Sequence, residues 1–426
     1  MAASSLSRMG EYYHTSLATK FRWKMNPVCH DRICLLKLGC MRRCGPTDLA
    51  ILYSSSGKER IMKFGFHTQM NNWQHQATHT QMLDDIREQV QLCEQLGFDA
   101  VWLPEHHLNP EGLGNSPNPI LFAADLACRT SRIKIGFACL TTTMWHPIRL
   151  AEDIALLDHL TRGRIEVGFG RGGRPSDTMP FNVKADPRNP DTNRELFTET
   201  IDAVVAAWTS DYFSHQGPNY TIPPKKLPHH PFYPSEEPYV VEDEVTKLTL
   251  VPKPYQKPHP PIWLMVSSEP TARLAAERGY YAMAAGTPTD VLRDFVDIYA
   301  EVRSESGNGQ FVKGEGWAVS RPVHVAPSME EARRNFEIPV IRQREFQLYN
   351  RASQANNPKP EITWENLLKS AMLAGPPELV IEQIQELREE CGIENVITFM
   401  DAGGVPHEKI MQSLESFGTR VMPAFS

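Results

Sequence analysis

The sequence predicts a (β/α)8 TIM-type barrel with one long excursion after its fourth strand–helix unit. Three observations carry this. From Met62 onward, eight strand candidates alternate with helical stretches to the end of the chain, the order that gives parallel pairing with right-handed crossovers. Ile133–Gly173 holds a whole strand–helix–strand unit by itself. The doubly wound open sheet, the alternative for such alternation, usually opens with G-x-G-x-x-G after its first strand, and no such motif occurs there. A chain of 426 residues can bury one barrel-sized core or two smaller ones.

Each element has its own local signal. Lys63–Thr68 alternates as a first strand, and Thr80–Leu96 places Leu83, Ile86, Val90 and Cys93 at helical spacing before Gly97 stops it. Ala100–Leu103 is the second strand and ends in Pro104-Glu105-His106-His107; a proline-rich loop, Asn109–Pro119, leads to the helix Ile120–Thr130. The apolar run Ile133–Leu140 is the third strand, followed by Thr141–Thr143 and a helix with Ile148, Ala151, Ile154, Ala155, Leu157 and Leu160 on one face. After Gly163, the fourth strand Ile165–Phe169 runs into Gly170-Arg171-Gly172-Gly173-Arg174, then a polar loop and a helix from about Thr192 to Trp208.

Residues 209–261 break the rhythm with many prolines, and within them Tyr239–Leu250 alternates as a short strand or hairpin arm. Ile262–Val266 resumes as a buried fifth strand, and Ser267-Ser268-Glu269-Pro270-Thr271 opens a helix to Arg278 with polar side chains and proline in its first turn. Tyr281–Ala284, Trp317–Val325 and Asn395–Met400 complete the strands. Pro288–Arg303 is helical, residues 328–390 are mostly helical with breaks near Asn356–Pro360 and Gly375–Pro377, and His407–Val421 is the last helix.

Composition narrows the function. A net charge of −7 argues against nucleic acid as a partner, and no apolar run approaches the roughly 20 residues of a membrane span. Residues 1–61 differ from the rest: they hold 10 Lys and Arg against 4 Asp and Glu, a charge of +6 that leaves −13 for the remainder. They also hold Cys29, Cys34, Cys40 and Cys44, half of the eight cysteines. Their C-x4-C-x5-C-x3-C spacing is not the paired C-x2-C of a strong zinc signature. A basic, serine-containing start also suits a targeting peptide, but no apolar core or cleavage site is visible. We expect residues 1–61 to be a disordered, appended extension of engineered or upstream-translation origin, and residues 62–426 to be the barrel. Cys93, Cys128, Cys139 and Cys391 lie singly in apolar segments and read as reduced core thiols of a cytoplasmic protein.

Barrel enzymes place their chemistry at the carboxyl ends of the strands, and three of these ends carry polar groups. In Glu105-His106-His107 the adjacent histidines point oppositely if extended, so at most one faces the mouth. Imidazole suits general acid/base work because it titrates near neutrality; one solvated and one packed histidine is the plain alternative. A metal would need further ligands, and His67 stands alone on the first strand, so none is expected. Arg171, in a glycine-rich turn, offers a fork suited to phosphate, or is simply solvated. The helix start at Ser267, Ser268 and Thr271 supplies hydroxyls and free N–H groups for an anion, or ordinary N-capping; the two are not exclusive. Trp73, Trp145, Phe169, Trp263 and Trp317 either line an apolar pocket or belong to the core.

From Met62 nearly to its end, the chain resembles the bacterial luciferase-like, flavin-dependent monooxygenases. The resemblance is carried by Trp102-Leu103-Pro104-Glu105-His106-His107 with Asn118-Pro119, by His146-Pro147-Ile148-Arg149-Leu150-Ala151-Glu152-Asp153, and by Gly163-Arg164-Ile165-Glu166-Val167-Gly168-Phe169-Gly170-Arg171-Gly172. Further on it is carried by Pro258-His259-Pro260-Pro261-Ile262-Trp263, Ala275-Ala276-Glu277-Arg278-Gly279 and Gly392-Ile393-Glu394-Asn395-Val396. The order and spacing of these motifs carry the resemblance more than any one of them. The family fold is the (β/α)8 barrel.

The resemblance implies reduced FMN as co-substrate, delivered by a separate NAD(P)H:flavin reductase, with O2 forming a flavin hydroperoxide that oxygenates a small organic molecule. By position, His106 matches the active-site histidine, and Arg171, Ser268 and Thr271 match phosphate-binding positions, with Ser267 beside them. A non-proline cis bond beside the flavin ring is expected at Ala138–Cys139, and a homodimer is expected. Two departures matter: luciferase's alpha subunit has a reactive cysteine where this chain has Gly170, and an acidic residue where it has Ser267. Light emission is therefore not implied. Because Ser210–Pro261 is longer than its counterpart in luciferase, an aldehyde substrate does not carry over. The rivals are a deazaflavin-dependent hydride-transfer enzyme of the same fold and a non-catalytic flavin-binding relative.

Overall fold

The computed structural model describes residues 61–232, 234–306, 311–350 and 361–426. What was expected of residues 1–60, including the cysteine cluster and the appended extension, lies outside the described residues, as does the break near Asn356–Pro360. The barrel is present and closed. Its strands are β1 (Lys63–His67), β2 (Ala100–Leu103), β3 (Lys134–Phe137), β4 (Ile165–Gly170), β5 (Ile262–Met265), β6 (Tyr281–Ala285), β7 (Trp317–Val325) and β8 (Asn395–Phe399). Each pairs in parallel with its sequence neighbour, β4 with β5 through Phe169 and Leu264, and β8 returns to β1 through Phe399 and His67.

Helices α1 (His79–Leu96), α2 (Pro119–Ala127), α3 (Pro147–Thr161), α4 (Pro190–Thr209), α5 (Glu269–Arg278), α6 (Thr289–Glu305), α7 (Met329–Asn350), α8 (Pro377–Cys391) and α9 (His407–Ser416) follow the strands in turn. Strand faces turned toward these helices carry Phe66, Val101, Leu103, Ile135, Phe137, Val167 and Phe169, all at most 1% exposed. That burial, on the order of 25 cal/mol per Å² of apolar surface, is what makes the strands near-continuous apolar runs in the sequence. The barrel interior is a separate cluster of Ala100, Trp102, Ala138, Trp263, Met283, Ala318 and Ile397. A Cβ on Gly65 or Gly136 would collide with the Trp102 indole, so those glycines are the space that the indole fills.

Several elements differ from expectation. The third strand is not one run: β3 stops at Phe137 and pairing resumes at Leu140–Thr141 against Phe169 and Gly170 of β4, while the Ala138–Cys139 bond between them is cis as expected. Leu373–Gly375, expected only as a break, is a short strand paired with the far end of β7. The last helix changes to a π turn at Phe417–Val421. Cys93 and Cys391 are buried thiols, but Cys128 is exposed: it follows the last turn of α2, past the apolar stripe that faces the barrel. The excursion forms two small hairpins, His215–Gln216 with Thr221–Ile222 and Val240–Val241 with Glu244–Val245. No described helix is long and apolar enough to cross a membrane.

Candidate active site

The carboxyl ends of β1, β2, β3, β4 and β5 open on one mouth, and the expected residues fall there in two groups. The first surrounds His106. Its backbone N–H donates to Ser116 O at 3.1 Å, and its Nδ1 lies 3.1 Å from Asp177 Oδ2. Gly114, at φ +78°, keeps the ring's other side free, because a Cβ there would approach the imidazole carbons to about 3 Å. Burial, then the positive charge of Arg174, lowers the pKa of His106, with Asp177 opposing. The imidazole is thus neutral at pH 7. With Asp177 Oδ2 accepting from Nδ1–H, the Nε2 lone pair is left free to accept a proton.

His107 goes elsewhere, as expected of the neighbouring position. Its Nε2 is 3.3 Å from Glu105 Oε1 and its ring packs on Phe181. Glu105 ties the end of β2 to the segment after β3, accepting from Thr141 N–H at 2.6 Å and from Trp145 Nε1–H at 3.0 Å. Within that segment Cys139 is half-buried, and burial, followed by the negative charge of Glu105, pushes its thiol up to about 12. Cys139 is a neutral thiol, and its Sγ fills the space that a side chain at Gly170 would need.

The second group is cationic. Arg171 follows β4 directly; its carbonyl accepts from Thr143 Oγ1 and Asn193 Nδ2, and its Nη1 makes one long hydrogen bond, 3.4 Å, to Asn193 Oδ1. Burial and then the like charge of Arg194, on α4, lower its pKa. The Arg194 side chain makes no hydrogen bond or ion pair among the described residues, so two like-charged guanidinium groups share a neighbourhood. β5 pairs with β4, so Ser267 and Ser268 emerge beside Arg171. Ser268 occupies the N-cap of α5 but makes no capping bond through its side chain; its Oγ lies 3.2 Å from Thr271 Oγ1. The N-capping alternative therefore does not account for these hydroxyls, and they fit an anion such as a phosphate.

Four polar residues of the mouth were not singled out by the sequence. Asp177 sits in a one-turn helix, Pro175–Thr178, inside what looked like a featureless polar loop. Arg174 is nine-tenths buried beside it, with Nη1 3.8 Å from Asp177 Oδ2. Asp401, just after β8, accepts from Thr68 Oγ1 and from the backbone N–H groups of Gln69 and Asn71, and burial still raises its pKa to about 6. His67 closes the floor: burial, then His106, lowers its pKa to about 3, and its Nε2 has no hydrogen bond. Of these, the sequence marks Arg174 only as the end of the glycine-rich turn and His67 only as a lone histidine on the first strand. The aromatic candidates are mostly core: Phe169 stacks on Trp208, Trp263 meets Trp102 inside the barrel, and Trp317 packs edge-on against Tyr299.

Comparison with known proteins places this geometry. A protein of Sinorhizobium fredii is 30% identical over 218 residues, covering 51% of this chain and 54% of its own length. The oxygenase component of a flavin-dependent trigonelline monooxygenase from Acinetobacter baylyi is 25% identical over 383 residues, 86% of this chain and 96% of that protein. Among solved structures, the oxygenating constituent of 3,6-diketocamphane monooxygenase from Pseudomonas putida, in complex with FMN, shares the fold with a TM-score of 0.67 at 23% identity, over 85% of this chain and 98% of that one. An F420-dependent secondary alcohol dehydrogenase shares it with a TM-score of 0.62 at 18% identity, over 86% of this chain and 99% of that one. The family model for luciferase-like monooxygenases matches residues 62–395. The chain belongs to the luciferase-like monooxygenase family of oxidoreductases.

Proposed function

We propose that this protein is the oxygenase of a two-component flavin-dependent monooxygenase, taking reduced FMN from a separate NAD(P)H:flavin reductase and inserting one atom of O2 into a small organic substrate. The observation that carries the proposal is the pair of like charges Arg171 and Arg194, next to the hydroxyls of Ser268 and Thr271, which meet each other rather than cap the helix. These four residues would hold the phosphate of FMN, and the backbone at Ala138–Cys139 would meet its ring. When bound, reduced FMN supplies the two electrons that activate O2, one oxygen atom leaving as water. His106 would hold or pass a proton at Nε2, with Asp177 fixing its tautomer. The cap of buried groups over the mouth, Glu105 and Asp177 among them, would keep bulk water out.

The trigonelline relative is described as an oxygenase component, which supports an external source of reduced flavin. The test is an anaerobic titration of the purified protein with reduced FMN and, in parallel, with reduced deazaflavin. O2 and a substrate panel follow, with products read by mass spectrometry. Binding of reduced FMN and appearance of a product heavier by one oxygen support the proposal. Preference for the deazaflavin with no O2 consumption would replace it by hydride transfer.

A further inference from the structure

Arg174 has only a loose ion pair, with Asp177, and no hydrogen-bonded acid. Its side chain is 9% exposed, and Nη1 makes no hydrogen bond. The nearest carboxylate oxygen, Asp177 Oδ2 at 3.8 Å, is too far for one and is already engaged 3.1 Å from His106 Nδ1. Glu111 acts on Arg174 only at longer range. Enclosing a guanidinium in this way is costly unless an anion completes it. The ring of Phe346, 4.5 Å away on α7, covers one face of the group. What remains for a ligand is the in-plane set of N–H donors, the edge by which arginine grips a carboxylate. Its field also reaches His106, where it lowers the pKa, so a group bound here lies within reach of the proposed chemistry.

We propose that Arg174 docks an acidic group of the organic substrate, and that the compound oxygenated at this mouth is a carboxylate. The inference rests on the monooxygenase reading above and names its substrate class. A single negative charge fits better than a phosphate. Asp177 already stands 3.8 Å away, and a dianion would be repelled by it, whereas the basic pair Arg171 and Arg194 lies elsewhere, at the end of β4 and on α4. Arg344 also has an Nη1 without a hydrogen bond, but it faces Gly286 at the end of β6 and serves as the control.

The experiment measures binding to the full chain by calorimetry, using acids paired with their amides: benzoate and benzamide, phenylacetate and phenylacetamide, hexanoate and hexanamide. At least one acid should bind about 10-fold or more tighter than its amide, the scale of one charge-assisted hydrogen bond. Arg174→Gln should erase that preference while FMN binding, read by quenching of flavin fluorescence, is retained. Acids no tighter than amides, a preference that survives Arg174→Gln, or one abolished by Arg344→Gln alone would each overturn the assignment. If Arg174→Gln does not fold by circular dichroism, Arg174→Lys decides. It keeps the charge without the planar fork, so its preference should fall short of the native one, and an undiminished preference refutes the proposal. Failure of the native chain to bind FMN would strike the monooxygenase reading and leave the acid–amide comparison to stand by itself.

Discussion

Gly170→Ala adds one methyl group at the tightest point of the mouth. An ideal Cβ on Gly170 lies closer than 3.0 Å to Cys139 Sγ and 3.4 Å from Cys139 Cβ, where unbonded heavy atoms settle at about 3.5–4.0 Å. The sulfur has little room to retreat. Ala138 N–H is bonded to Leu103 O at 2.8 Å, and Thr141 N–H to Glu105 Oε2 at 2.6 Å, so the backbone on both sides is pinned. Overpacking of this kind costs about 1–3 kcal/mol. Gly170 has no positive φ, so replacing a strand glycine returns about 0.5–1 kcal/mol, and the net loss should be about 1–2 kcal/mol. In a domain of this size that lowers Tm by about 1–3 °C.

Cys139→Ala alone removes the sulfur and leaves a methyl-sized void worth about 1 kcal/mol. Gly170→Ala with Cys139→Ala puts the new methyl where the sulfur was, and the pair should be more stable than the sum of the single losses by about 1 kcal/mol. Thermal melts and urea titrations of the four proteins give the coupling directly. FMN titration should follow the same order, because this segment is where the flavin ring is proposed to rest. If Gly170→Ala is as stable as the native chain, or if the two losses simply add, the packing account of this position is wrong.

Arg171→Ala removes a charge-assisted contact worth about 1.5–3 kcal/mol, so FMN should bind about 10- to 150-fold more weakly while riboflavin, which has no phosphate, changes little; equal losses for both refute the phosphate assignment. His106→Ala should lower product formed per reduced FMN consumed by roughly 100-fold, with oxygen appearing as hydrogen peroxide, and a collapse in His107→Ala instead would show that the wrong histidine was chosen. His67, with a folded pKa of about 3 against 6.5, gives stability that is complete above pH 6.5 and lost as pH falls from 6.5 toward 3. Its share of the loss between pH 7 and pH 5 is about 2 kcal/mol. Urea melts of His67→Gln should lose that much less than the native chain over this interval, and parallel losses would exclude His67 as the source.

The barrel was legible because its strands obey one rule. Each of β1 to β8 is an apolar run flanked by glycine, proline or a polar strand end, and burial between interior and helices demands that composition. Leu373–Gly375 was not legible: three residues between a short helix and Pro376 have no period, and only the far end of β7 makes them a strand. The interruption of β3 at Ala138–Cys139 could not be read from hydrophobicity either, since Ala138, Cys139 and Leu140 continue the apolar run; it came from the family resemblance. At the proposed site, His106 and Arg171 could be named from sequence because they sit at strand ends, where position follows from the fold. Asp177, Arg174 and Asp401 were missed because their partners are set by loop conformation. The pairing of Asp177 with His106, 71 residues apart, leaves no trace in local sequence.

The electrostatics of the mouth connect these residues into one device. Two effects lower the proton affinity of His106, burial first and the charge of Arg174 second, and Asp177 alone among its hydrogen-bond partners raises it. Burial is fixed by the fold, but the Arg174 contribution is not. A carboxylate docked on Arg174, as proposed, cancels much of that field at His106 and adds a negative charge nearby, and both changes raise the pKa of the imidazole. Substrate binding and protonation of His106 are then thermodynamically linked, and the linkage is reciprocal: acids should bind more tightly as pH falls through the His106 titration, and Arg174→Gln should remove that dependence along with the acid preference. An imidazole held neutral in the free protein and protonated only with substrate present would supply its proton when there is something to oxygenate, which is when wasteful release of peroxide must be avoided.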